Sequence, residues 1–443
     1  MERSRSGRRC ERSFIGSVLE LEERQTPSGG MVSPLLVNPV GYVAIHPNTP
    51  VLPFATPSTK ATYIDPTVKI VDGASVVVGL QDFVGPYATL NGHSGAIKIG
   101  NLTSILDNST LTPDPGGKNP QAVIKIGDEV VIGFGATIEG ASTIGGYFAA
   151  GQPTAIGAGA LIDGATVQPG AIVAPRARVG PGVTIPSGDM VLPGMNVTTQ
   201  AEADTPKLGF VAPVTASELT TITQTLAQNQ GLTVGYSQLY QGNPATGVNI
   251  GANPTIGGVY FGSLSGVLGA NRQPGPNHDP YETSKSGPEF LTPHQGLVGT
   301  SLSTFPARIS GKVEIGMRAW RAAHRMGRAN AFRADQGQPI SIGSIAHTGE
   351  HVTINSPLGG TLAIGKGFRA DSGAVILSGP DVNAVLGDHV TIGAGAVLDR
   401  ASLGSGSTVG AGAYLFNSTF PADTIVPPNA IYLNGQYAGQ VQW

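Results

Sequence analysis

The sequence predicts an all-β solenoid of six-residue repeats, laid out as two domains in one chain. Three observations predict it. Branched aliphatic residues recur every sixth position, as at Ile126, Ile132, Ile138 and Ile144. Glycine and proline are over-used, at 64 and 34 of 443 residues. Only 12% of residues are charged and 6% aromatic, which excludes a helical bundle with a charged coat and a core of large rings. Six steps along a helix would scatter the aliphatics round its axis. A flat strand alternates every two residues and does not accept Gly or Pro at each sixth place. A coil of short strands, each sending one aliphatic inward before a tight turn, satisfies the whole pattern. Its stability grows as coils stack.

Taken in order, the beat begins with Ile64, Ile70 and Val76, then Ile99, Ile105 and Leu111. It returns at Ile156 and Ile162 and, after a slip of one residue, runs through Val167, Val173, Val179, Ile185, Val191 and Val197. From Thr215 to Gln230 the spacing becomes helical at Leu219, Ile222 and Leu226, with Ser217 as cap and Gly231 as stop. A helix closing the first solenoid is the expected element. Residues 232–306 lose the period and are rich in Gly, Pro, Ser and Asn, the composition of a linker or arm. The beat recurs near the end at Val397, Leu403, Val409 and Leu415. The expected organisation is an N-terminal extension over 1–55, a first solenoid with its helix over 56–231, the linker over 232–306 and a second solenoid over 307–443.

Glycine without a three-residue period excludes collagen, and 40% hydrophobic content argues against wholesale disorder. A net charge of −3 gives no reason to expect nucleic acid or an anionic membrane as partner. No apolar run approaches the roughly 18 residues of a membrane span. Cys10 stands alone, so no disulfide forms within one chain. Residues 1–30 carry Arg3, Arg5, Arg8, Arg9 and Arg12, and the apolar run Phe14 to Leu19 is too short and broken for a secretory signal. The stretch from Leu19 to Ser28 nevertheless resembles a leader found on large bacterial surface proteins, which implies an exported or cell-surface location. A disordered tail is the alternative.

The first domain resembles the γ-class carbonic anhydrases, through Tyr63-Ile64-Asp65-Pro66-Thr67, Val84-Gly85-Pro86 and, most specifically, the stretch from Val183 to Gly188 continuing through Pro193-Gly194-Met195 to Asp204. In the second domain Arg333-Ala334-Asp335, followed by Pro339 and Ile342-Gly343, is similar to an element of that family that sits beside its active site. The resemblance implies left-handed parallel β-helices, trimeric packing, and a zinc held by three histidines across a subunit interface. Neutral imidazoles and an open fourth position are what let zinc lower the pKa of bound water toward neutrality. Carried over, the three ligand positions of the first domain fall on Thr112, Phe134 and Glu139. Supporting positions fall on Asn91, His93, Ser94 and Leu106, and Asp107 matches. In the second domain Arg333 and Asp335 survive and Gln336 replaces an acid. The ligand positions fall on Asn355 and near Ser372 and Leu377. Phenylalanine has no lone pair to give, and no histidine lies between His351 and His389.

The resulting expectation is a catalytically inactive γ-carbonic-anhydrase-like protein with a structural, assembly or binding role, no cofactor and trimer-based self-association. Arg333, Asp335 and Asp107 are expected to order an interface or brace a coil. The first alternative is an active zinc-dependent carbonic anhydrase with a relocated metal site, for which His347 and His351, with His93 or His324, are the available imidazoles. A further alternative is an acyltransferase of the hexapeptide class working through His389. Arg318, Arg321, Arg325 and Arg328 follow helical spacing and predict a short basic helix. An acidic partner would fit it, and solvation of the solenoid's outside is the competing explanation.

Overall fold

In each coil the inward aliphatics stack directly on those of the coils above and below. The computed structural model describes residues 43–45, 62–65, 67–146, 151–239, 248–249, 262–263, 307–311, 313–317, 321–322, 324–335 and 339–443. In the first solenoid one face carries the ladder Ile99, Ile126, Ile144, Val167 and Ile185, each paired in parallel register with the next. A second face carries Ile64, Val84, Ile105, Ile132, Ile156, Val173 and Val191. The third carries Ile70, Leu90, Leu111, Ile138, Ile162, Val179 and Val197. These side chains are buried and form one continuous core. Three six-residue steps close one coil, which is why a period of six, rather than two, governs the sequence. The slip after Ile162 is a tighter corner in which Gly164 takes φ +56°, a left-handed value that costs glycine nothing.

The second solenoid repeats the plan with three sheets of its own. Its inward ladders include Phe332, Ile354, Ile376, Leu398, Leu415 and Tyr432, and Ile342, Ile364, Leu386, Leu403 and Phe420. The inward residue near the end is thus Leu398, not Val397. Val397 turns outward and is buried by other means, described below. The chain is therefore an all-β solenoid of two left-handed parallel β-helix domains, with a helix closing the first.

That helix runs Ala216–Leu239, past the expected stop at Gly231. Its cap is Thr215 rather than Ser217: Glu218 accepts from the Thr215 backbone N–H at 2.7 Å, and Thr215 Oγ1 accepts from Glu218 N–H at 3.3 Å. Ile222, Leu226 and Leu232 pack on Tyr63, Phe83, Leu106, Val131 and Ile172 of the solenoid wall. Burial of Leu232 beyond Gly231 outweighs the roughly 1 kcal/mol that a mid-helix glycine costs.

Antiparallel strands cover some of the sheet edges at the coil ends. Two of these come from the segment expected to be a linker: Val248–Asn249 pairs with Tyr63–Ile64, and Gly262–Ser263 with Val77 and Val78. Val43–Ile45, from the N-terminal extension, pairs instead with Val313–Ile315 of the second solenoid. Of the arginine run, Arg318 lies outside the described residues. Arg321 is helical and exposed, but Arg325 is already in a turn, with Nη1 donating to the Ile345 carbonyl at 2.9 Å. Met326 then bridges to Thr348. The coil captures the backbone before a basic helix reaches Arg325 and Arg328.

Candidate functional site at the seam between the solenoids

Both solenoids belong to one compact unit, Asn38–Trp443, and one flank of the second packs on corners of the first. Strands such as Val375–Leu377, Val397–Asp399 and Tyr414–Phe416 explain how. The middle residue points into the solenoid, and the two flanking ones point out together. The outward column Arg333, Asn355, Leu377, Asp399, Phe416 and Leu433 runs rung by rung along this flank. Beside it Val375, Val397, Tyr414 and Ile431 cluster with Ala158 and Phe134 of the first solenoid.

The seam begins with ion pairs. Arg333 Nη1 lies 2.6 Å from Asp107 Oδ1 across the seam, and its Nε lies 3.0 Å from Asp335 Oδ2 in the turn just after its own strand. The guanidinium carbon stands 5.0 Å from the centre of the Phe83 ring. One rung earlier on the second solenoid, Arg308 Nε lies 3.1 Å from Asp65 Oδ2. All five charged side chains are buried. Burial works against ionisation of Asp65, but Arg308 and hydrogen bonds from Thr67 and Tyr63 outweigh it and hold the carboxyl below its ordinary value. At Asp107 burial prevails over Arg333, with Asp335 and Asp65 adding repulsion, and the carboxyl is pushed up to about 6. Its Oδ2 is buried without a hydrogen-bond partner. Arg333, Asp335 and Asp107, the residues singled out for an interface, therefore meet between two solenoids of the same chain. Gln336 lies outside the described residues.

Further along, Asn108 joins the two sides: its Nδ2 donates to Thr353 Oγ1 at 2.9 Å, and its Oδ1 lies 3.1 Å from His351 Nδ1. Next comes a cavity of about 210 Å³, walled by Phe134 of the first solenoid, Leu377, Val397 and Asp399 of the second, and Ile222 and Thr225 of the long helix. Burial pushes Asp399 up to about 6 although Arg400 Nε is 3.7 Å away. Burial, with Asp399 nearby, also pushes the Tyr414 hydroxyl well above its ordinary value.

Phe134 and Leu377, positions that the sequence comparison assigned to metal ligands, thus face one cavity from opposite solenoids, with Asn355 one rung from Leu377. Thr112 and Glu139 do not join them. They pair with each other on a different, half-exposed face, where Glu139 also pairs with Asp163. Ser372 sits in an exposed turn. A ring, an isobutyl group and an amide offer no imidazole, so this donor set does not fit a catalytic zinc. Among the described residues no group of three His, Cys, Asp or Glu side chains converges on a point.

The described histidines are dispersed. His347 lies on the strand Ile345–Thr348, beside Arg369, whereas His351 occupies a left-handed turn leading into a different sheet. His93, His324 and His389 are exposed on separate corners. Sequence reasoning missed Asp399, Tyr414 and the Asp65–Arg308 pair. The available signal was the strand with apolar flanks on both sides of its inward residue, a pattern a water-facing coil does not need.

No family model and no curated protein matches the chain. Among solved structures, it is similar to a protein of Bacillus cereus at 17% identity and TM-score 0.21, covering 40% of this chain and 91% of that one. A second, from Desulfovibrio desulfuricans, matches at 11% identity and TM-score 0.25, covering 92% of this chain and 74% of that one. Both are described as "putative acetyltransferase". What the described strands establish is a tandem hexapeptide-repeat β-helix.

Proposed function

We propose that this chain is a non-catalytic, metal-free relative of the γ-class carbonic anhydrases, acting in assembly or binding. The observation that supports this most directly is the cavity where Phe134 and Leu377 face each other. On this reading a site shared between neighbouring solenoids persists as a place without its imidazoles, beside the buried Arg333–Asp107 contact that joins the two solenoids. Two covalently linked solenoids already pack flank to flank within one chain. The assembly reading adds that further chains associate with this unit. His389, the residue an acyl-transfer mechanism would use, is exposed on an outer corner away from the seam.

Metal content and carbon dioxide hydration by the purified full chain test this reading together. The expected result is no stoichiometric zinc and no rate above buffer. Zinc at one per chain, lost on His347→Ala or His351→Ala, would establish the enzyme instead. Sedimentation tests assembly separately, and a strictly monomeric chain removes that part.

A further inference from the structure

Arg176 occupies a second opening in the seam, lined in part by Gly135, Gly159 and Leu161 of the first solenoid and by Val375 and Gly395 of the second. The opening has a volume of about 250 Å³ and is bordered by Trp443. Trp443 fixes the spot: its Nε1 donates to the Arg176 carbonyl at 2.7 Å, and the guanidinium carbon lies 5.1 Å from the centre of its ring. The guanidinium reaches across the seam. A Cβ added to Gly159 would stand 3.4 Å from Nη1, one on Gly395 3.6 Å from Nη1, and one on Gly412 3.4 Å from Nη2. Glycine corners from both solenoids therefore make the room it occupies.

Among the described residues the guanidinium finds no hydrogen-bond acceptor. Nε is buried with no hydrogen-bond partner, and among the described residues no carboxylate lies within ion-pair distance of Arg176. Burial holds its pKa below the ordinary value, with no opposing carboxylate to restore it. Elsewhere along the seam, Arg308 and Arg333 meet carboxylates at 3.1 Å or less. A partly buried cation without a counter-charge is costly, and a planar fork of N–H donors matches a carboxylate in bidentate geometry.

We propose that this opening binds a small monocarboxylate, its head taken by Arg176 and its apolar tail lying against Leu161 and Val375 beside Trp443. The volume suits the tail, since a dry cavity of about 150 Å³ already accepts a benzene ring. Alanine at Gly159 or Gly395 would crowd the guanidinium and close part of the space. The site is independent of the metal-position cavity and of whether the chain is catalytic.

Isothermal titration of the full chain with sodium benzoate and sodium propionate tests the proposal, with sodium phosphate as comparison. Saturable binding of benzoate with a Kd of about 1 mM is expected. Arg176→Gln should weaken it by about tenfold or more, and Arg176→Lys, which keeps the charge but not the fork, by less. Arg328→Gln, an exposed arginine elsewhere, should leave it unchanged, and circular dichroism melting of each variant establishes that it folds. Three results overturn the proposal: no saturation at about 10 mM benzoate, equal affinity in folded Arg176→Gln, or phosphate binding as tightly as benzoate.

Discussion

Arg333 of the second solenoid and Asp107 of the first meet at 2.6 Å in a fully buried contact between parts of the chain 226 residues apart. Asp335 takes the other side of the same guanidinium at 3.0 Å. One cation is thus shared by two carboxylates, and burial above all, with added repulsion from Asp335 and Asp65, makes Asp107 hold its proton more readily.

Removing the cation should therefore cost far more than removing one acid. Arg333→Gln leaves two buried carboxylates facing each other and should destabilise the chain by about 3–5 kcal/mol, the range for breaking a buried pair. Asp107→Asn leaves Arg333 neutralised by Asp335 and should cost well under half of that. Chemical denaturation of both variants checks the order, and a costlier Asp107→Asn would refute the shared-cation account.

The pH dependence follows from the same charges. Asp107 and Asp399 both stand near 6 in the folded chain, above the unfolded carboxyl value of about 3.9. The folded state then binds their protons more tightly, so their contribution is full below pH ~4 and is lost as pH rises through ~6. Asp65 runs the other way, its contribution present above pH ~4 and lost as pH falls through its lowered folded value. Melting temperatures between pH 4 and 7 should fall less steeply in Asp107→Asn with Asp399→Asn than in the parent chain. An unchanged slope would remove these two groups as its source.

If the seam preserves the place of a shared metal site, histidines put back there should find metal. The triple variant Phe134→His, Asn355→His and Leu377→His is expected to bind zinc at about one per chain, because a three-imidazole set satisfies that ion. Metal analysis after dialysis distinguishes it from the parent. Failure of a folded triple variant to retain zinc would mean that these positions do not share the relevant geometry.

Corners pressed against the partner solenoid should tolerate substitution worse than corners facing water. Gly194 has φ +71°, and an added Cβ would stand 2.6 Å from Ile431 Cδ1 and 3.0 Å from Val441 Cα. Gly182 has φ +76° with nothing within 4 Å of such a Cβ. Gly182→Ala should cost about 1–2 kcal/mol, the left-handed penalty alone. Gly194→Ala should add about 1–3 kcal/mol for overpacking. Equal losses in thermal or chemical melts would show that the seam gives way at no cost.

Much of the fold was legible along the chain. Ile126, Ile144 and Ile185 could be placed inside from spacing alone, because each six-residue step returns the chain to an equivalent side of the coil. Val397 was misplaced because it and Leu398 are both branched aliphatics, and only the register with Ile376 and Leu415 tells them apart. Gly231 looked like a helix stop because local propensity was the only guide, whereas Leu232 is held by the solenoid wall. The arginine spacing was real, but the coil, not helix propensity, decided the backbone from Arg325 onward.

The candidate site divides along the same line. Residue identity alone established that Phe134 and Leu377 offer no metal donor, since side-chain chemistry does not depend on position. That these two face one cavity, that Asp65 finds Arg308, and that Arg176 finds no acceptor were decided only when the solenoids packed together. Inward residues answer to a coil's own geometry, which a repeat encodes locally. Outward residues answer to whatever covers them, and that partner lies hundreds of residues away in the chain.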